Sequence, residues 1–487
     1  MVRITQGSSA AGALRYFIEE LGHDELGVDK DVELGRWWGK GAVRLGLSGP
    51  VKAEQFASLL GNIDPQSGQS LSSISSPDRR PGVHVTFDSS KSLSVVAHLV
   101  PVPELRTVVM EAVKETLAEA EKRAAARVRK DGEDSSRLTG ELCVALFQHV
   151  TTRPVDGRPD PQEHVHAWVF NQTYDGKEEM WKALEAGGMW EDAPLLQAVF
   201  DSAVIRGVRG LGFEIVFNDL GWEIAGVPQS VVEKFSRRSE AIEREAESRG
   251  IQDPEEKAEL GAKTREPKSR AQAYSAMRAE WASRLTPAEL AALIAALPRE
   301  GKAEQAKQEH SEERARGREQ TFTETKHAST LTDELRTKLD KALKFEVERT
   351  FERSSSVPER FLLEPGFKVA PGQVKMDDIR ESLERHGVLT RIIDGRAYCT
   401  TKEALREERE LVQVVVAGKG KFKARSTDAM GPLKRLSSEQ RAAVEEVLTS
   451  PDLVTVVQGR SGVGKTTLTM AAKMEIVDRI SCSVCML

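Results

Sequence analysis

Three histidines stand where two short runs of chain could bring them to one point. His164 and His166, in Gln162-Glu163-His164-Val165-His166, are two residues apart, so on a β-strand both point to one face. His149 closes the preceding apolar run that begins at Leu142. If the two runs pair as antiparallel neighbours, three imidazoles converge. Three neutral imidazoles suit a divalent ion, and without a fourth protein ligand that ion keeps open positions for a substrate oxygen. The plainer alternative is that two of them are half-buried, hydrogen-bonded strand histidines. A second constellation lies near the far end, where Gly459-Arg460-Ser461-Gly462-Val463-Gly464-Lys465-Thr466 follows the apolar run Leu453–Val457. This is GxxxxGK[ST] between an expected strand and an expected helix. The glycines, Gly459, Gly462 and Gly464, free backbone N–H groups for phosphate, Lys465 reaches the β/γ oxygens, and Thr466, followed by Thr467, offers a hydroxyl to Mg²⁺. Only 21 residues follow Thr466. A working motor needs more parallel strands and a second acidic residue, so ATP with Mg²⁺ is expected as a cofactor only where that domain is complete. Gln440, a base-reading glutamine in a complete motor, lacks the same scaffold.

These residues must be placed by the elements around them. Gly82–Asp88 alternates as a strand, with His84, Thr86 and Asp88 on one face, and Lys91 and Ser92 lead into the apolar run Leu93–Val100. Glu104–Lys130 has helical periodicity, Leu195–Leu211 reads as a helix, and 213–217 and 222–225 read as short strands. Residues 1–245 thus read as one mixed α/β domain, and 246–329 as a helical, charged extension and linker, with Thr286 capping a helix at Pro287. Residues 330–425 read as a small helical, winged-helix-like unit ending in a hairpin at Val388–Thr400, and 426–487 as an incomplete P-loop segment. With 39% hydrophobic and 30% charged residues and a net charge of −6, the chain advertises no overall nucleic-acid affinity, so a basic surface has to be local. No apolar run approaches membrane-span length and the start lacks a signal core, which predicts no membrane insertion. Four cysteines in 487 residues argue against a disulfide framework and fit a cytoplasmic location.

Several separate pieces in the first 290 or so residues carry a family resemblance. They are the helix bearing Tyr16, Trp38-Gly39-Lys40-Gly41-Ala42, Leu45-Gly46-Leu47-Ser48-Gly49, Val85-Thr86-Phe87 leading to Lys91-Ser92-Leu93-Ser94, Phe147–Arg153, and Asp160–His166. Together they resemble the MobF-type conjugative relaxases. The C-terminal half resembles the start of the fused RecD-like helicase, cut just after its first motif. The resemblance implies an α/β HUH-endonuclease fold, a central antiparallel sheet with helices, followed by a mostly helical region and an incomplete P-loop segment. It also implies a reaction. A tyrosine hydroxyl, here Tyr16, attacks a phosphodiester of single-stranded DNA at an origin of transfer and leaves a 5′-phosphotyrosine and a free 3′-OH. His149, His164 and His166 would hold Mg²⁺, Mn²⁺ or Zn²⁺, and Lys40, Lys91 and Arg153 are candidate phosphate contacts. Relaxosome accessory proteins and a type IV coupling protein are the implied partners. Trp37 and Trp38 are candidates to stack bases, and Trp168 to wall the metal site.

The sequence departs from the family in two places. Families of this type often carry a second tyrosine, but Glu19–Val28 contains none. Where the family has an acidic residue two before the Thr-Phe pair, this chain has His84. His84 can serve as a base or join as a fourth ligand, but it supplies no negative charge; Asp88, on the same face, is a candidate to compensate. The expectation is that the chemistry survives but is slowed or shifted to higher pH. The rival expectations are a decayed relaxase that holds single-stranded DNA without cutting it, and, less favoured, a nucleotide-driven motor. The unusual tail Ile480–Leu487 predicts a frameshift or insertion, and residues beyond about 430 are expected to pack poorly.

Overall fold

The computed structural model describes residues 1–7, 9–20, 35–72, 79–100, 102–130, 133–219, 221–264, 274–298, 331–422, 436–460 and 463–477. β1 (Val2–Gln6), α1 (Ala10–Leu14) and a π-helical turn (Arg15–Glu20) come first, followed by β2 (Arg36–Trp38), α2 (Lys40–Arg44) and α3 (Ala53–Leu60). Then come β3 (Gly82–Asp88), α4 (Lys91–Leu99), α5 (Glu104–Lys122), β4 (Ala125–Lys130), β5 (Glu133–Leu138), β6 (Val144–Thr151) and β7 (Pro161–Phe170). β8 (Thr173–Asp175), β9 (Met180–Lys182), α6 (Gly187–Glu191), α7 (Ala193–Gly210), β10 (Ile215–Asn218) and β11 (Gly221–Ile224) follow. Helices α8 (Gln229–Lys234), α9 (Arg237–Ser248), α10 (Pro254–Lys263), α11 (Tyr274–Ser283) and α12 (Pro287–Ala295) come next. The remainder is α13 (Asp333–Phe351), β12 (Val357–Pro358), α14 (Arg360–Val369), α15 (Met376–Arg385), β13 (Val388–Ile393), β14 (Arg396–Thr401), α16 (Lys402–Ala417), α17 (Ser438–Thr449) and α18 (Lys465–Val477). Residues 1–399 form one compact unit and 400–487 another.

The first unit is built on a five-stranded sheet in the order β1-β3-β7-β6-β2, every neighbour antiparallel. The two-residue period of its strands sorts side chains cleanly between faces. Val83, Val85, Phe87, Val144, Leu146, Val165, Ala167 and Val169 point to one face, where α4, α5 and α7 cover them. Ala145, Phe147, Trp168 and Phe170 point to the other, against Phe17, Phe56, Leu59 and Trp37. That second face carries the histidines. Trp168 is its floor, and backbone passes so close that glycine is required: a Cβ on Gly7 would meet the indole at 2.4 Å, and one on Gly82 at 2.9 Å.

Several expectations are corrected here. Glu104–Lys130 is not one helix: α5 stops at Lys122, and Ala125–Lys130 pairs with Glu133–Leu138 as a hairpin. The run after Lys91 is helix α4, its Ser90 side chain accepting from Leu93 N–H. The expectation of one helix over Ser230–Arg249 also gives way, to the two helices α8 and α9 parted at Phe235, which is fully buried. The core of the sheet also runs past residue 245, because Met277, Trp281 and Leu293 are buried in it. The Thr286 cap is present, as a capping box with Glu289. In the second unit Leu453–Val457 is not a strand; Val456 is 85% exposed, and among the described residues no strand lies alongside to pair with it. α17 and α18 share a small apolar cluster of Leu436, Val444, Leu448, Leu468 and Ala472.

Candidate active site

β6 and β7 set the three histidines. His149 stands directly opposite His164, and Phe147 opposite His166. One residue farther along the pairing slips, so that Val150 of β6 spans Gln162 and Glu163 of β7 before Thr151 meets Pro161. Such a bulge turns the local backbone, and here it places the Gln162 carbonyl 2.9 Å from His164 Nδ1. That nitrogen therefore donates, and Nε2 of His164 carries the lone pair. His164 Nε2 lies 3.1 Å from His166 Nε2. On the far side of its ring, His166 Nδ1 lies 2.8 Å from His84 Nε2 and 3.5 Å from the Thr86 hydroxyl. If His84 accepts from His166 Nδ1–H, then His166 Nε2 is also a lone pair, aimed at the same point as that of His164.

The donor set fits a divalent ion. Rings bound to one ion at N–metal distances near 2.1 Å and roughly tetrahedral angles have centroids about 5 Å apart. Here the separations are 4.8 Å for His164–His166, 5.2 Å for His149–His166 and 5.6 Å for His149–His164. Among the described residues no group of three or more His, Cys, Asp or Glu side chains is disposed, as it stands, to hold a metal ion. The three rings are gathered, and the Nε2 atoms of His164 and His166 meet at 3.1 Å.

Tyr16 arrives from the π-helical turn. Phe17, 1% exposed, anchors that turn by packing on Trp168, Phe147 and Phe56. Tyr16 then sits half-buried over the histidines, its ring centroid 5.6 Å from His84 and 6.0 Å from His166. His84 does not reach the convergence point as a fourth ligand, because its Nε2 faces the opposite edge of His166. Asp88 shares the face and stands opposite His164. Its backbone carbonyl accepts from the Met1 ammonium, and its charge also acts on Lys91.

The expected phosphate contacts divide. Arg153 lies two residues past β6, beyond His149 on the histidine end of the sheet. Lys40 is exposed but starts α2 at the opposite end of β6, with Nζ donating to Gly140 O at 3.3 Å. Lys91 is half-exposed and engaged with the protein: Nζ donates to Pro161 O at 3.0 Å, and desolvation lowers its pKa to about 8 despite Asp160, Asp88 and Glu223. Trp37 is core, donating to Gln55 Oε1 at 3.2 Å, and Trp38 packs against the opposite face, so neither is free to stack a base. Trp168 lies beneath the site as floor. The tyrosine-free stretch lies largely outside the described residues. In the second unit Lys465 Nζ donates to Gly459 O at 2.6 Å, Gly464 has φ +83°, and Thr466 and Thr467 are exposed. Gln440 Nε2 donates to Val463 O at 2.9 Å, so it holds the phosphate loop rather than facing a base. Gly462 lies outside the described residues.

Sequence reading missed how β7 is held. Glu163, fully buried between the two site residues Gln162 and His164, meets His98 Nε2 at 2.9 Å and Arg106 at 3.4 Å. His98 Nδ1 in turn lies 2.7 Å from the Tyr274 hydroxyl of α11. Asp160, 1% exposed at the entry to β7, is held by Arg237 at 2.7 Å and Arg284 at 2.6 Å. The sequence signal was the pair of acids, Asp160 and Glu163, just ahead of the His-x-His motif.

Comparison with known proteins gives the family and the fold. Residues 10–288 match the family model "TrwC relaxase", and residues 435–486 match "AAA domain". The chain is 33% identical over 255 residues to the multifunctional conjugation protein TraI of Escherichia coli K12, covering 50% of this chain and 14% of that protein. A metal-bound structure of conjugative relaxase TrwC with oriT DNA superposes with a TM-score of 0.52 at 29% identity, covering 60% of this chain and 98% of that one. TrwC with a 27-mer DNA comprising the recognition hairpin and the cleavage site gives 0.51 at 28%, covering 60% and 99%.

Proposed function

The chain belongs to the TrwC relaxase family, and on that premise we propose that it nicks and transfers single-stranded DNA at a plasmid origin of transfer through Tyr16. The observation that carries this reading is Tyr16 held over His84 and His166, while His164 and His166 turn their Nε2 atoms to one point 3.1 Å apart. The Tyr16 oxygen forms a bond to phosphorus and the P–O3′ bond breaks. The phenol gives up its proton, the leaving 3′ oxygen takes one, and the products are a 5′-phosphotyrosine and a 3′-OH. The phosphoester is conserved, so a later 3′-OH can reverse the step. A divalent cation held by His149, His164 and His166 would neutralise charge on the non-bridging oxygens of the scissile phosphate.

The chain's own contribution is position. Phe17 fixes the turn that carries Tyr16, the Gln162 carbonyl fixes the tautomer of His164, and His84 fixes that of His166. His84 Nε2 cannot accept from His166 and take the phenol proton at once, so holding His166 is the role the geometry favours over that of base. Arg153 is the basic candidate on the histidine end for a backbone phosphate. Relaxosome accessory proteins and a type IV coupling protein are the partners such a role calls for. The matched region spans 14% of the curated relatives, so these partners and the substrate are proposals for this chain.

The test mixes the full chain and Mn²⁺ or Mg²⁺ with single-stranded oligonucleotides tiling the DNA beside the gene, then looks for an SDS-resistant band. The reading expects a band that is lost with Tyr16→Phe and with a chelator. A second reading, DNA binding without cleavage, is favoured by His84 at the family's acidic position; retention of the oligonucleotides with no such band would support it instead.

A further inference from the structure

Residues 331–399 have the order helix, strand, two helices and hairpin, closing a three-stranded sheet β12-β14-β13. This is winged-helix topology, in which α15 takes the place of the DNA-reading helix and β13–β14 the wing. One side of α15 and the turn of the wing are spent on protein, while β13 keeps residues 389–393 exposed. From α15, Arg380 reaches Glu359 at 3.3 Å and Glu119 of α5 at 3.9 Å, and Glu359 also accepts from Arg123 at 2.8 Å. The wing closes on the β4–β5 hairpin, where a Cβ on Gly395 would stand 3.0 Å from Ser136, while Arg396 meets Glu191 at 2.6 Å. α15 leaves Asp377, Glu381, Glu384 and Arg385 exposed, and Arg385 is paired with Asp340 at 2.8 Å and Glu381 at 2.9 Å, so the face is net acidic and repels phosphate.

α7 shows that the docking is built in. One side of it, with Leu196, Phe200 and Val204, packs on the sheet. Its other side is also apolar: Leu195 and Val199 enter the core of the 331–399 module with Leu339, Leu343 and Phe367. Between them Ser202, 1% exposed, uses its hydroxyl only on that module, accepting from Gly372 N–H at 3.0 Å and donating to Val374 O at 3.3 Å. A buried hydroxyl satisfied from outside its own layer implies a standing partner. Gly372 adopts φ +77°, and a Cβ there would lie 2.4 Å from Ile205.

We infer that this winged-helix module is a permanent brace on the α5–α7 layer rather than a DNA reader. It lies on the outer side of the helices that cover the sheet face opposite the histidines. The inference stands apart from the cleavage reading, because its readout is association and not nicking.

The test inserts a site-specific protease sequence between residues 310 and 320 of the full chain and cuts under native conditions before gel filtration. The two fragments are expected to co-elute, and to go on doing so with excess duplex DNA. Gly372→Val is expected to weaken the association by at least about tenfold, which is about 1.4 kcal/mol. Ser202→Trp, on the other side of the seam, serves if Gly372→Val fails to accumulate. Separation of the unmodified fragments, their release by duplex DNA, or unchanged co-elution in the seam variants would overturn the inference.

Discussion

His84 stands where the resemblance to the relaxases calls for an acidic residue, and its contact with His166, 2.8 Å from Nε2 to Nδ1, says what that difference would do. A neutral imidazole can accept the His166 Nδ1–H, but a carboxylate accepts it with charge assistance and makes the ligand more basic. His84→Asp is therefore expected to raise Mn²⁺ affinity roughly tenfold and to increase cleavage at neutral pH, and His84→Leu to lower affinity by a similar factor. Calorimetric titration of both variants checks this, and equal affinities would remove His84 from the arrangement. Lys91 gives a prediction about stability. Its pKa falls from 10.5 in the unfolded chain to about 8 because burial disfavours the ammonium. Between those values the unfolded chain binds the extra proton, so folding stability rises with pH in that window, and below about pH 8 the charged form must be buried at a cost. Melting curves should show the wild type gaining on Lys91→Met as pH rises from 7 to 9.5; a constant difference would contradict this. Cys143, fully buried in the floor and with its thiol pushed up by desolvation, should resist thiol reagents in the native state.

At the scale of elements, β7 is a strand held from behind. Asp160 enters it clamped by Arg237 of α9 and Arg284 of α11, and Trp281 of α11 donates to Pro159 O at 2.9 Å. Removing both arginines leaves a buried carboxylate without its cations, which costs about 3–5 kcal/mol. Urea unfolding of Arg237→Ala/Arg284→Ala should show that loss together with weakened Mn²⁺ binding, since His164 is four residues downstream. Loss of stability with unaltered metal affinity would mean that the clamp does not set the site. β3, β6 and β7 were legible because alternation and the His-x-His spacing are local. The β4–β5 hairpin was missed although its signals were present: Ala126 and Val128 are buried while Arg127 is exposed, and the sequence Asp-Gly at 131–132 is a dipeptide favoured in hairpin turns. The helical period of Glu104–Lys122 ran into it and was extended too far. The clamps on Glu163 and Asp160 were not legible, because His98, Tyr274, Arg237 and Arg284 come from distant parts of the chain.

At the scale of the whole molecule, the sheet, its two helical layers and residues 331–399 are one unit, while 400–487 is separate. The P-loop was plain in the sequence, whereas the strand expected before it is absent among the described residues, with Val454, Val456 and Val457 exposed. Limited proteolysis is expected to cut within 400–487 first and to leave the melting temperature of the remaining unit unchanged; concerted loss of both would contradict the division. The central claim is that Tyr16 becomes covalently joined to DNA over the histidine site. The most direct measurement takes the metal-dependent adduct, trims its DNA with nuclease, digests the protein and locates the modified peptide by mass spectrometry. The account predicts a nucleotide 5′-phosphate on Tyr16. An adduct on Tyr174, Tyr274 or Tyr398, or one that persists in Tyr16→Phe, would contradict it.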